Sequence, residues 1–229
     1  MHIEEPDPHG RARWTRRLLA RGAVLLAAAL LVGALAGSSS GASAATDTAA
    51  PSLGFVADEV RALTRRLEAT KGELAIARAQ VDRSNAVIRY SGEYQIPADL
   101  AAAVYDIAMS EGIEPPVAFR LVQVESNFKP KALSNKDAIG YTQIQPTTAR
   151  FYEPGLSVDQ LYERDVNLRI GFRFLKDLMR RYDGDIELAL VAYNRGPGRV
   201  EQILMQGGDP SNGYAESVLK GTRHDAASE

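Results

Sequence analysis

The sequence contains no cysteine and only three histidines among its 229 residues. The histidines, His2, His9 and His224, all lie within ten residues of a chain end. The lack of cysteine excludes disulfides, thiolate nucleophiles and zinc sites with cysteine ligands. The scarcity of histidine argues against Ser-His-Asp triads and histidine-ligated metals, so we expect no metal or other cofactor. If the protein is an enzyme, its proton transfers should use Asp, Glu, Lys or Tyr.

A basic block of the kind that binds nucleic acid is also missing. The net charge is −2 at pH 7, and the sequence after residue 44 is weakly acidic. We therefore expect no nucleic-acid partner. Hydrophobic residues make up 45% of the chain and charged residues 24%, which is typical of a globular protein rather than a disordered one.

The first 44 residues resemble a secretory signal peptide. Arginines up to Arg21 precede an apolar run over residues 23–36, and residues 42–44 form a small-x-small site. The run is shorter than the roughly 20 residues that a membrane-spanning helix needs. We predict export to the cell envelope or periplasm by a cleaved signal peptide, with residues 15–21 weakly resembling a twin-arginine signal. An uncleaved anchor in the inner membrane, over the same residues 1–44, is the second choice.

A linker and a long amphipathic helix are predicted next. Residues 45–54 are small and polar, which is typical of a linker. Over residues 55–91 apolar residues recur at alternating spacings of four and three, the heptad pattern of a helix with one apolar stripe. In a parallel dimer of this helix, attractive and repulsive pairs of flanking charges would offset each other, so the charges do not favour a coiled-coil dimer. A single stalk-like helix is therefore the simplest prediction. Self-association or a partner helix through residues 56–90 is the alternative. The stronger seam consists of Val60, Leu67, Leu74, Val81 and Ile88.

Residues 92–220 predict a mainly α-helical domain, followed by a polar tail over residues 221–229. Apolar residues recur at helical spacing, and alternating strand patterns are nearly absent. The Pro-Pro pair at 115–116 suits a first helical turn. Ser157 followed by Gln160 fits a capping box. Helices with defined bounds are predicted over residues 97–111, 117–127, 186–194, 200–205 and 214–219. A further helical stretch is predicted to begin after Ser157, and its helical spacing continues from residue 166 to residue 183.

One glutamate lies at the end of an apolar helix face. Leu121 and Val122 precede Glu125 on this face, and Phe128 follows it. Partial removal from water should raise the pKa of Glu125. A carboxylic acid that stays protonated near neutral pH can donate a proton to a leaving oxygen. By this argument alone, a solvated or capping glutamate is the more common case.

Three motifs in a fixed order change the interpretation of this glutamate. Glu125-Ser126 comes first, Gly-Tyr-Thr-Gln-Ile-Gln-Pro-Thr-Thr-Ala follows at residues 140–149, and Ala-Tyr-Asn-Arg-Gly-Pro-Gly follows at residues 192–198. Together they closely resemble the signature of the soluble lytic transglycosylase (SLT) family, glycoside hydrolase family 23, of the lysozyme-like superfamily. The resemblance covers about residues 92–220 and implies a lysozyme-like helical SLT domain.

The resemblance also implies an activity. The family cleaves the glycan strands of peptidoglycan between N-acetylmuramic acid and N-acetylglucosamine. Glu125 matches its single catalytic acid, which would protonate the glycosidic oxygen and then deprotonate the 6-hydroxyl of the muramic sugar, giving a 1,6-anhydro product. Substrate-binding roles are implied for Ser134, Gln143, Tyr193, Asn194 and Tyr214, for which a structural hydrogen bond in a loop is the alternative.

The sequence departs from the family pattern at three places. The Glu-Thr pair that usually precedes the C-terminal tyrosine is not evident at residues 210–213. Tyr141-Thr142 replace the Leu-Met that precedes the glutamine, and Asp137 stands where a small residue is usual. These changes concern the sugar subsites more than the acid. Asp137 could hold a water in a hydrolase similar to goose-type lysozyme. A hydrolase of peptidoglycan or chitin on the same fold is therefore the second function considered. A non-catalytic glycan-binding scaffold is the third.

Overall fold

The computed structural model describes residues 52–222. The signal peptide or anchor predicted over residues 1–44, the linker up to residue 51 and the tail after residue 222 lie outside the described residues. Within the described residues, the regular secondary structure consists of helices and two isolated β-bridges at residues 133–144. The prediction of a mainly α-helical fold is confirmed. None of the described helices combines the length and apolar character needed to cross a membrane.

The helices are short apart from the first and the sixth. The chain divides into two compact units, residues 1–61 and 62–229; of the first, the structure describes only residues 52–61, at the start of the first helix. The helices are α1 (Leu53–Tyr94), α2 (Ala98–Glu111), α3 (Pro115–Ser126), α4 (Pro146–Tyr152), α5 (Val158–Leu161), α6 (Arg164–Arg181), α7 (Ile186–Arg195), α8 (Pro197–Met205) and α9 (Tyr214–Leu219).

Helix α1 leaves its heptad seam exposed. Leu67, Leu74 and Val81 are about half exposed, and Ile88 is 70% exposed. Only the last turns of the helix are covered, because Tyr90 is buried and its ring stacks on Phe119 of α3 with the centroids 4.0 Å apart. The predicted amphipathic helix is therefore present, and within the described residues its apolar stripe has no cover.

The core of the domain lies between α2, α3, α6 and α7. Helix α2 packs on α6, α6 packs on α7, and the short α9 rests on both α3 and α7. The largest fully buried side chains include Phe119, Phe172, Leu168 and Leu190. This packing brings the end of α3, the start of α9 and the inner face of α7 into one region.

Local sequence signals set several helix ends. Gly112 takes the left-handed conformation (φ 71°) that ends α2, a role for which glycine has no steric cost. The Pro-Pro pair at 115–116 opens α3, as predicted. Ser157 and Gln160 form the predicted capping box, with both reciprocal hydrogen bonds present. These ends needed no tertiary information because their determinants are adjacent in the chain.

Replacing Ser157 by Ala should lower the free energy of unfolding by about 1 kcal/mol, because the backbone N–H of Gln160 loses its acceptor. Chemical denaturation measures the loss. Ser84→Ala is the matched control, since the exposed Ser84 hydroxyl donates only to a carbonyl one turn earlier in its own helix. Equal stability of the two variants would show that the capping box contributes nothing.

Candidate active site

Glu125 lies in the last turn of α3, one residue before the helix ends at Ser126. Its carboxylate is mostly shielded from water, and this burial raises its pKa to about 7. A hydrogen bond from the Tyr214 hydroxyl acts in the opposite direction and lowers the pKa. At neutral pH a large fraction of Glu125 therefore carries the proton that a general acid must donate.

Tyr214 is the predicted site residue that touches the glutamate directly. Its hydroxyl donates to Oε1 of Glu125, although 89 positions separate the two residues. The preceding Gly213 has φ 77°, a conformation that glycine adopts readily and that starts α9 at Tyr214. The ring is 9% exposed, and burial next to Glu125 raises the pKa of Tyr214, which keeps the hydroxyl protonated. Tyr214 is thus a permanent hydrogen-bond donor to one carboxylate oxygen.

A loop between α3 and α4, residues 127–145, closes over the end of α3. The hydroxyl of Ser126 donates to the backbone carbonyl of Tyr141 at 2.8 Å, which ties the loop to the residue next to the glutamate. Two antiparallel bridges pair Ile139 with Leu133 and with Ile144 and make the loop compact. The Glu-Ser pair therefore combines a shielded acid with an anchor for the loop beside it.

A buried asparagine of α6 also holds this loop. The sequence 165–168 around it matches the family pattern, but the match implied no role for the asparagine. Asn167 of α6 is fully buried, and its Oδ1 accepts from the N–H of Thr142 at 2.8 Å and from the Thr142 hydroxyl at 2.8 Å. Its Nδ2 donates to the carbonyls of Ile139 and Leu161. All the hydrogen-bonding capacity of the amide is used. A signal was available: Asn167 shares the apolar face of α6 with Ile170.

Two glycines allow this close approach. A Cβ added at Gly140 (φ 77°) would lie 2.4 Å from Nδ2 of Asn167, and a Cβ added at Gly171 would lie 2.4 Å from the Thr142 hydroxyl oxygen. No other side chain fits at either position without moving the loop. The close contact with Asn167 gives the physical reason for a glycine at position 140.

Tyr193 supports the loop from α7. Its ring is 8% exposed, and its hydroxyl donates to the carbonyl of Thr142 at 2.8 Å. Burial, reinforced by the nearby charge of Glu125, raises the pKa of Tyr193. The residue therefore lies near the glutamate, and its hydroxyl is bound to the loop backbone.

The other three predicted site residues make their hydrogen bonds away from Glu125. The Ser134 hydroxyl accepts from the N–H groups of Lys136 and Ala138 within the loop. Gln143 has φ 48° and donates through Nε2 to the carbonyls of Ala132 and Gly140. Asn194 accepts at 2.9 Å from Nδ2 of Asn212, in the segment before α9. Their substrate-binding roles stay predictions.

The positions that depart from the family pattern have different surroundings. Tyr141 and Thr142 are buried, so their side chains help to build the loop. Asp137 is exposed and has φ 58°. In residues 52–222 no cluster of three or more His, Asp or Glu side chains could hold a metal ion. The arrangement can supply one shielded acid beside a loop that several buried hydrogen bonds hold in place.

The chain was compared with known proteins. The family described as "Transglycosylase SLT domain" matches residues 102–212, which include Glu125, Gln143, Tyr193 and Asn194 and stop two residues before Tyr214. The chain is 41% identical over 85 residues to the membrane-bound lytic murein transglycosylase D of Escherichia coli K12, covering 35% of this chain and 18% of that protein. It is 30% identical over 108 residues to the transglycosylase of Enterobacteria phage PRD1, covering 47% of this chain and 37% of the relative.

A solved structure with a similar chain is that of an inactive mutant of the lytic transglycosylase Slt from Pseudomonas aeruginosa. It is 30% identical in sequence, with a TM-score of 0.48, over 55% of this chain and 24% of that chain. The present chain thus spans well under half the length of each of these relatives.

Proposed function

Residues 102–212 belong to the transglycosylase SLT domain family, and from this premise we propose that the protein is a lytic transglycosylase of peptidoglycan. Its substrate is the glycan strand, cut at the β-1,4 bond between N-acetylmuramic acid and N-acetylglucosamine. The product carries a 1,6-anhydro-muramic end. Glu125 serves as the only general acid and base.

In the first step Glu125 donates its proton to the oxygen that links the two sugars. The bond from this oxygen to the anomeric carbon of the muramic sugar breaks, and positive charge develops at that carbon. The acetamido oxygen of the same sugar stabilises the charge. Because Tyr214 occupies Oε1 of Glu125, Oε2 is the oxygen that carries the proton to the substrate.

In the second step Glu125, now a carboxylate, removes the proton from the 6-hydroxyl of the muramic sugar. The 6-oxygen then bonds to the anomeric carbon and closes the anhydro ring. The proton lost in the first step is regained in the second, so neither water nor a second protein group is consumed. Enzymes that capture water or form a covalent intermediate instead use a pair of carboxylates.

One observation carries this proposal: Glu125 is a shielded acid whose pKa of about 7 follows from burial and from Tyr214 alone. A second carboxylate close by would add its own charge to that shift, and among the described residues none contributes. Asp137, the candidate for a hydrolytic partner, is exposed in the loop. A single acid that alternates between its two protonation states fits this environment.

Mass spectrometry of the products from purified peptidoglycan tests the proposal. A transglycosylase releases muropeptides that are lighter by one water than those of a hydrolase, because the ring closes internally. Anhydro products support the proposal, and products with added water would assign the protein to the hydrolases. Intact strands after incubation with the full chain would favour a glycan-binding scaffold.

The pH dependence of cleavage should report the pKa of Glu125. Cleavage needs the protonated acid, so the rate should fall as pH rises through about 7. Tyr214→Phe removes a hydrogen bond that lowers this pKa, so the alkaline limb of the profile should move to higher pH. Initial rates on soluble glycan fragments from pH 5 to 9 measure the shift. An unmoved limb in Tyr214→Phe would mean that another group controls the profile.

Export and anchoring are further parts of the proposal. Cleavage of peptidoglycan requires the protein outside the cytoplasm, and the first 44 residues have the composition of a signal peptide or anchor. We place the protein in the cell envelope, and removal of the signal peptide is the first choice over an uncleaved membrane anchor. The apparent mass of the protein isolated from its native membrane and soluble fractions distinguishes cleavage from anchoring.

Helix α1 is proposed to act as a stalk for the catalytic domain. Self-association through its apolar seam is the alternative. The observation in favour of self-association is that Leu67, Leu74 and Val81 of this seam are exposed. Sedimentation of the full chain over a range of concentrations separates a monomeric stalk from a self-associating helix.

A further inference from the structure

Helix α9 carries Tyr214 but has little stability of its own. It contains six residues, far fewer than the 12 to 15 that give even a marginal isolated helix. The position of Tyr214 against Glu125 must therefore depend on contacts that hold α9 from outside. Such contacts exist at both ends of the helix.

At the start of α9, two asparagines connect the helix to α7. Nδ2 of Asn212 donates to Oδ1 of Asn194 at 2.9 Å, and Oδ1 of Asn212 accepts from the N–H of Tyr214 at 3.3 Å. This contact uses the asparagine of the Ala-Tyr-Asn motif. It fixes the first residue of α9, whereas at the other end of the helix Val218 is buried in the core.

At the end of α9, an arginine from α3 provides the second contact. Arg120 donates through Nη2 to the backbone carbonyl of Ser217, 97 positions away in the chain, and through Nη1 to Oε1 of Gln123. Ser217 lies in the last turn of α9, where carbonyls lack partners within the helix. A cation at this end also interacts favourably with the helix dipole.

Helix α3 thus touches α9 twice. Glu125 follows Arg120 by five residues, which places the two side chains about 140° apart around the axis of α3. Glu125 meets the first residue of α9, and Arg120 meets its last turn. We propose that Arg120 is a positioning residue of the active site, which holds the end of α9 so that the Tyr214 hydroxyl stays on Glu125.

The surroundings of Arg120 suit a fixed position. Its side chain is half-buried, and Nε is fully buried, with no acceptor among the described residues. Arg120 also forms part of the wall of a cavity of about 400 Å³ between the end of α1, α3 and residues 220–222. This space means that Met can replace Arg120 without overlap, so the variant Arg120→Met removes the donors and keeps most of the apolar stem.

The titratable groups around Glu125 are Tyr193 of α7 and Tyr214 of α9. Tyr193 is committed to the carbonyl of Thr142, so Tyr214 supplies the hydrogen bond to the acid. Burial is the larger cause of the raised pKa of Glu125, and the Tyr214 hydrogen bond opposes it. A small displacement of α9 that breaks this hydrogen bond and leaves the Tyr214 ring over the carboxylate should therefore raise the pKa of Glu125, as the loss of the hydroxyl in Tyr214→Phe does.

The test is an NMR titration of the Glu125 carboxyl carbon in the full chain, assigned by its disappearance in Glu125→Gln. Arg120→Met should raise the pKa of Glu125 by as much as Tyr214→Phe does, and the double variant should show no further rise. Arg199→Met is the control, because the exposed Arg199 contacts Gln202 of its own helix, and it should leave the pKa unchanged.

Two outcomes would overturn the proposal. Arg120→Met could lower the melting temperature and leave the pKa at the wild-type value, which would make Arg120 merely structural. The shifts could instead add in the double variant, as expected if Arg120 acts on Glu125 through its charge and not through Tyr214. Should Arg120→Met not fold, Arg120→Lys, which keeps one donor, should give a pKa between those of the wild type and Tyr214→Phe.

The inference rests on the proposed function only for its effect on rate. If the protein is a transglycosylase, displacement of the site in Arg120→Met should cost up to about 100-fold in kcat/KM, and the alkaline limb should follow the titrated pKa. If the wild-type chain cleaves no glycan, the proposed function fails, while the titration still decides whether Arg120 positions Tyr214.

Discussion

Glu125→Gln should reduce glycan cleavage by about 1,000-fold or more, within the range that general acid–base groups contribute, because in the proposed mechanism one residue performs both proton transfers. The amide cannot donate a proton to the glycosidic oxygen or remove one from the 6-hydroxyl. Release of soluble muropeptides from purified peptidoglycan measures the loss. Glu114→Gln, on an exposed glutamate just before the same helix, should keep the wild-type rate.

Glu125→Gln should also be more stable than the wild type at alkaline pH. The pKa of Glu125 is about 7 in the folded protein against an ordinary value of 4.5, so folding stability in the wild type falls as pH rises from about 4.5 to 7. Gln stays neutral and still accepts from Tyr214, so above pH 7 Glu125→Gln should be more stable by up to about 3 kcal/mol. Urea denaturation at pH 5 and 8.5 measures this difference. Normal activity, or lower stability at pH 8.5, would contradict the assignment of a shielded acid.

Of the substitutions described, Asn167→Ala should lower the stability of the folded protein the most. The substitution leaves the buried N–H of Thr142 without its acceptor and removes the side-chain donor to the carbonyls of Ile139 and Leu161. The Thr142 hydroxyl loses one of its two acceptors and keeps the backbone carbonyl at position 167. Each buried group left unpaired costs about 1–3 kcal/mol, and water that enters the space recovers part of this. We expect the free energy of unfolding to fall by about 3–5 kcal/mol, together with loss of cleavage, because the loop beside Glu125 is released.

Two further variants make this prediction specific. Thr142→Val keeps the volume and removes one hydroxyl from the same network, and should cost about 1 kcal/mol. Asn135→Ala changes an exposed asparagine of the loop and should stay within about 0.5 kcal/mol of the wild type. Equal stability of Asn167→Ala and Asn135→Ala would show that the buried amide does not hold the loop.

The helices could be predicted from the sequence to a large extent because their signals are local. The capping box at Ser157, the glycine that ends α2 and the prolines that open α3 act within one or two turns of the chain. The apolar spacing of α6 and α7 fixed which faces turn inward. The end of α1 differs from the prediction: the helix continues to Tyr94, three residues further, because Tyr90 and Tyr94 pack on Phe119.

The site was predicted less completely. The motifs indicated Glu125 as the candidate acid and gave Tyr214 only a substrate-binding role by resemblance. The hydrogen bond between the two residues appears only in the folded structure. Asn167 was missed as a support, although it interrupts an apolar face, because its partners lie about 25 residues away in a loop without periodicity. Arg120 gave no signal at all, since its acceptor is the backbone carbonyl of Ser217, which any residue type would provide.

The sequence by itself determined the chemistry available to this protein. Without cysteine, and with histidine confined to the chain ends, Asp, Glu, Lys or Tyr were left for proton transfer, and the resemblance of three ordered motifs indicated Glu125 as the proposed acid. Only the tertiary structure decided the protonation state of that carboxylate. Its pKa depends on how much water reaches it and on the Tyr214 hydroxyl, and both are set by helices that are distant in the chain and meet only in the folded protein.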